Sequence, residues 1–180
     1  MRTILFLTFA YLSIANTIAQ MYYYDVTKTF KEQGYTYQCD VPSYGTVTLY
    51  NKENKLTYTD VIYKSSGEIY SPEPWEHIPL FENNSWTKDK CYSIVNNAFS
   101  TIEKQRIKDF KLMTTLCISP DTGKVLEVNF SFIDTSPFAT IPVSIYRKIE
   151  TEIKSQVWFN ITAEGKKLNY IMLFWRQKVK

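Results

Sequence analysis

Between Lys124 and Ile133 apolar and polar side chains take turns: Leu126, Val128, Phe130 and Phe132 fall on one side, Glu127, Asn129 and Ser131 on the other. A period of two is that of a strand, and one apolar face beside one polar face means a sheet covered on one side and wet on the other. Upstream, Leu112, Thr114, Leu116 and Ile118 alternate with Met113, Thr115 and Cys117, and Pro120-Asp121-Thr122-Gly123 separates the two runs. Pro presets φ, Asp can bond its own backbone and Gly accepts positive φ, so the unit reads strand–turn–strand. Helical spacing occurs twice. Cys91, Ile94, Val95, Ala98 and Ile102 predict a helix over 88–108 with Thr87 as its N-cap. Ile145, Ile149 and Ile153, following Ile141-Pro142, predict a second helix with Glu150 and Lys154 paired on its outer side.

From Tyr22 to Tyr70 short β-branched and aromatic runs are broken by turn residues, which predicts a three- or four-stranded antiparallel meander. Its strands are read as 35–39, 46–50 and 56–63, with Asn51-Lys52-Glu53-Asn54 connecting the last two. Pro72, Pro74 and Pro79 then forbid regular structure, marking a surface crossing. Beyond the second helix, 157–162 and 166–176 predict a hairpin around Ala163-Glu164-Gly165. Only Asn169 is polar in Leu168–Trp175, so that strand is expected to be buried on both faces. The expected class is α+β, an antiparallel sheet with two helices packed on one face. An N-terminal β-meander with its Pro-rich crossing (20–84) precedes an α-β-β-α-β-β half (85–180), either as separate units or sharing one core.

The start of the chain changes the picture. Arg2, the apolar stretch Ile4–Ile14 and the small and polar run ending at Ala19 read as a secretory signal cut after Ala19. It is too short for a membrane anchor, which needs about 20 apolar residues. A periplasmic or secreted protein is expected, with no membrane span after cleavage. The whole chain has 21 basic and 18 acidic residues, a formal charge of +3. That balance is too near neutral, and too evenly spread, for nucleic acid as a partner. Cys39, Cys91 and Cys117 match no zinc spacing, and any one bridge among them leaves a thiol over.

Candidate chemistry is sparse. His77 is the only imidazole, in the Pro-rich crossing beside Glu73 and Glu76, and an exposed loop histidine is the expected state. No phosphate cradle, nucleophile elbow or paired-Cys motif occurs, so no catalytic residue, cofactor or metal is expected. Ten tyrosines lie between Tyr22 and Tyr70. If several share an exposed face with Trp75, they form an apolar patch suited to sugar rings or another chain. Trp75, His77, Tyr35, Tyr37 and Tyr58 are the candidate binding surface.

Two sets of residues carry a resemblance. Gly123-Lys124-Val125-Leu126-Glu127-Val128, with Val157-Trp158-Phe159 and Gly165-Lys166-Lys167-Leu168, resembles the turn, strand and closing hairpin of TonB C-terminal-like domains. Ile141-Pro142, Tyr146, Ile149-Glu150 and Ile153-Lys154, with Gly34-Tyr35-Thr36-Tyr37 and Val47-Thr48-Leu49-Tyr50, resemble uncharacterised exported families of the Bacteroides group. The chain lacks the anchor and Pro-rich spacer of TonB proper, so the resemblance implies a non-catalytic domain presenting a sheet edge, not energy transduction. The expected function is an exported binding protein of the bacterial cell envelope whose partner is another envelope protein. The alternative is a small-ligand or glycan-binding module built on the Tyr-rich half and Trp75.

Overall fold

The computed structural model describes residues 22–42, 45–73 and 76–180; the expected signal segment and Trp75 lie outside them. The protein is α+β, with an antiparallel sheet and three α-helices. In chain order the elements are β1 (Lys28–Glu32), β2 (Tyr35–Asp40), β3 (Thr46–Asn51), β4 (Phe81–Glu82), α1 (Ser85–Ala98), α2 (Thr101–Ile107), β5 (Lys111–Ile118), β6 (Val125–Ile133), α3 (Val143–Gln156), β7 (Asn160–Ile161) and β8 (Ile171–Lys178). Six strands form one sheet in the order β1-β2-β3-β6-β5-β8, all neighbours antiparallel. The β3–β6 pairing, Val47 opposite Phe132 and Leu49 opposite Phe130, stitches the N-terminal meander to the second half.

One face of the sheet carries the core. Val47, Leu49, Val128, Phe130, Phe132, Leu112 and Leu116 are buried there. Tyr146 of α3 lies over Phe130 and Phe132, with ring centroids 5.1 and 5.6 Å away. Tyr24 closes the same cluster, and burial costs neither phenol its hydrogen bond. Tyr24 donates to the Ile141 carbonyl and Tyr146 to that of Phe138, both at 2.9 Å.

Several expectations need correction, each for a local reason. The long helix is two helices, because Ser100 and Glu103 form a reciprocal capping box that starts α2 afresh. Ile102 consequently points to water, 75 % exposed. Thr87 lies inside α1, its hydroxyl donating to the Asn84 carbonyl at 2.6 Å. The meander's third strand is β1; residues 56–63 form turns that end in isolated bridges of Ile62 with Ile69 and Tyr63 with Leu168.

That irregular segment folds over the sheet's second face and covers the side of β6 that was expected to be wet. The Glu127 carboxylate accepts the Lys55 and Leu56 amides at 2.7 and 2.9 Å, and Asn54 donates to Asn129 at 2.9 Å. Glu127 and Asn129 are therefore buried polar groups with partners, as burial demands. A register shift at Cys117/Ile118 turns Leu126 outward. On α3, Glu150 does lie within ion-pair distance of Lys154, at 3.6 Å, but it faces inward with no exposure rather than sitting on the outer side.

The C-terminal segments do not pair as a hairpin. β7 pairs with β4, and β8 pairs with β5 at the margin of the sheet, where Met172 and Phe174 are exposed. The expectation of a strand buried on both faces is overturned there.

Cys39, Cys91 and Cys117 are buried free thiols, and burial pushes each up to about 12. At pH 8 a thiol-specific reagent is expected to find none of them in the folded protein and all three once denatured. The sign for stability follows. A folded thiol that resists ionisation while the unfolded one ionises near the ordinary value of about 8.5 stabilises below that pH. That contribution is lost as the pH climbs through about 12.

Candidate interaction site

The two margins of the sheet differ in a way the physics of edge strands makes significant. β1 is five residues long and carries Lys28, Lys31 and Glu32, the charged composition that discourages another chain from pairing. β8 has eight residues and places Met172, Leu173, Phe174 and Trp175 in succession. Among the described residues no strand pairs with its far side. Eight residues of strand extend about 27 Å, a row of outward N–H and C=O groups long enough to hold a peptide.

Beside that row runs α1. Its later turns are tied to β8: the Gln177 side-chain amide donates to the Tyr92 carbonyl and to Asn96 Oδ1, both at 3.4 Å. Trp175 packs near the Tyr92 ring and donates through Nε1 to Gln177 Oε1 at 3.1 Å. The first turns of α1 stand away from the strand. Thr87, Lys88 and Cys91 there face Leu173, Phe174 and Trp175 across a cleft of about 200 Å³ closed by Phe159. Thr87 and Cys91 recur at i and i+4, hence one helix face.

The rim is aromatic. Trp86 and Trp158, chain neighbours of Thr87 and Phe159, pack with ring centroids 4.7 Å apart and both remain exposed. Phe174 is 63 % exposed. Lys88 Nζ lies over the Tyr92 ring, 5.6 Å from its centroid, and makes no ion pair among the described residues. A free strand edge with a helix alongside and an apolar floor between them can take an extended segment as an added strand. Backbone pairing supplies affinity, and side-chain pockets supply selection.

The residues expected from sequence to bind lie elsewhere and are not brought together. Tyr37 is fully buried, its hydroxyl donating to the Glu150 carboxylate. Tyr35 is half-buried, with the Arg147 guanidinium 5.5 Å from its ring centroid. Tyr58 is exposed on the opposite face and donates to Asp40 at 2.8 Å, as does Tyr50. Partial desolvation of the hydroxyl against the sheet, then the Asp40 hydrogen bond, pushes Tyr58 up to about 12, so it remains a donor at neutral pH. The depression there, lined by Thr27, Val41, Thr46 and Thr48, is wide and open, and both phenols already spend their protons on Asp40. His77 is an exposed residue of the crossing. The run Leu168–Trp175 was the sequence signal for the cleft, since apolar residues on both sides of a strand fit an edge awaiting a neighbour as well as a central strand.

Fold and edge together define an α+β protein built around a six-stranded antiparallel sheet whose β8 margin has no paired strand among the described residues. The chain belongs to the DUF5043 family, described as a domain of unknown function, whose model matches residues 20–175. It is similar to a DUF5043 family protein from Bacteroides uniformis known from a crystal structure. The two share 44 % identity and a TM-score of 0.83 over 88 % of this chain and 95 % of the other. No curated protein matches. The family places the chain in an uncharacterised Bacteroides-group lineage, in line with the second resemblance. No helix among the described residues is long and apolar enough to cross a membrane.

Proposed function

We propose that the protein is an exported, non-catalytic binding protein of the bacterial cell envelope that takes an extended segment of another envelope protein as a seventh strand along β8. The observation that carries this reading is the eight-residue β8 edge, which has no neighbouring strand on its outer side among the described residues and is flanked by the apolar cleft against α1. Export is supported by the charged tip and apolar run before Ala19, and by a family match that starts at residue 20. Lys88 on the helix wall and Lys178 along the strand favour an apolar segment bearing an acidic residue.

The test is selection of displayed random peptides of about ten residues against residues 20–180, followed by amide exchange of the complex. Alternate amides of β8 are expected to exchange fast in the free protein and to become protected on binding. Proline at one of those outward amides is expected to weaken binding at least about tenfold, a loss of about 1.4 kcal/mol, while Tyr58→Ala leaves it unchanged. Binding that survives the proline and disappears with Tyr58→Ala would overturn the edge reading in favour of the open-face, glycan-type site.

A further inference from the structure

A second concavity lies at the far end of the uncovered face of the sheet, beyond the reach of residues 52–59. Its volume is about 380 Å³, within the range of small-molecule sites. Strand register builds it. Met113 lies opposite Ser131 and Arg176, and Thr46 opposite Ile133, so these side chains project from the same face. Lys111, two residues before Met113, joins them, and Phe110 and Phe132 complete an apolar lining.

Three observations set the chemistry of its occupant. Phe110 and Ile133 are 42 % and 60 % exposed, large apolar side chains left in water at the wall of a cavity. Lys111 and Arg176 form no ion pair among the described residues. Lys111 also stands directly opposite Lys178 across the β5–β8 ladder, a like-charge pairing that disfavours the sheet unless an anion sits between. Finally, Ser136 is 5 % exposed, lines the cavity, and its hydroxyl has no partner in the protein. A buried unpaired hydroxyl costs free energy that a ligand acceptor would recover.

We propose that this cavity binds an organic acid with an apolar body, its carboxylate held between Lys111 and Arg176 and its hydrocarbon against Phe110, Met113 and Ile133. The proposal is independent of strand addition, which uses the opposite margin of β8.

Decanoate is a suitable probe, with decanol as its uncharged counterpart, titrated into isotopically labelled protein below micelle formation. Saturable shifts are expected at the Met113 and Ile133 methyl groups with one decanoate per protein. Arg176→Met and Lys111→Met are each expected to weaken decanoate about tenfold, or about 1.4 kcal/mol, and to leave decanol unchanged. Ile133→Asp is expected to weaken both. A proline at the β8 edge should leave decanoate binding intact, which separates this site from the strand-addition reading. Shifts that rise without saturating, or decanoate and decanol affinities equally indifferent to Arg176→Met, would overturn the assignment.

Discussion

Gly123→Ala is expected to cost the protein about 2–5 kcal/mol, a large fraction of a domain's ordinary stability. Two effects add. Gly123 has φ +69°, where an L side chain costs roughly 1–2 kcal/mol. The new methyl would also stand 1.8 Å from the Phe159 carbonyl oxygen and 2.9 Å from its carbon. The chain cannot step aside easily, because the Phe159 amide donates to the Gly123 carbonyl at 2.9 Å and the Phe159 ring packs on Phe81. Displacing backbone in a packed region adds about 1–3 kcal/mol. Gly67→Ala is the control: φ is +75° but nothing lies within 4 Å of the added carbon, so only the conformational part, about 1 kcal/mol, is expected. Urea midpoints compare the two directly. Equal losses would show that the contact with Phe159 does not constrain the turn.

Arg147→Leu is expected to destabilise by about 2–4 kcal/mol, at the lower end of the range for breaking a buried ion pair because Arg147 is about a third exposed. Its partner is the difficulty. The Glu150 carboxylate has no exposure; one oxygen accepts from Arg147 Nη1 at 3.0 Å and from the Tyr37 hydroxyl. The other has only Lys154 Nζ, at 3.6 Å, too long for a hydrogen bond. Without Arg147 a desolvated charge is left with one phenol and the more distant Lys154 ammonium. Arg147→Leu combined with Glu150→Leu should therefore be more stable than Arg147→Leu alone, since the stranded charge goes too. If the double variant is the weaker of the two in urea, the pair is not what holds α3 to β2.

How much of this was legible in the sequence depended on whether local rules decided the matter. The β5–turn–β6 unit was readable because Pro120-Asp121-Thr122-Gly123 carries its own turn chemistry and the strands alternate on both sides of it. The core helix α3 was readable from Ile149 and Ile153. Failures came where distant segments intervene. Glu127 and Asn129 look like a wet face until residues 54–57 are laid across them, seventy residues away in sequence. Glu150 looks like one half of a surface pair with Lys154, yet Tyr37 and Arg147 make its inward rotamer tolerable. The cleft was hidden for the same reason. Leu173, Phe174 and Trp175 announce an apolar strand, but only the strand order shows that β8 is the last strand of the sheet among the described residues. The tyrosine cluster misled because β-propensity and core filling spread those rings over both faces of the sheet.

The β3–β6 seam has a consequence for how the chain comes into being. Everything from Lys28 to Asn51 is finished early in synthesis, yet its inner neighbour spans Val125–Ile133, some eighty positions further on. Until that neighbour arrives, the nascent meander carries an unzipped hydrogen-bonding flank and bare Val47 and Leu49. Closing so long a loop is slow relative to local pairing. The amino-terminal third is thus a passenger that must be kept from premature association until the later half gives it somewhere to lie.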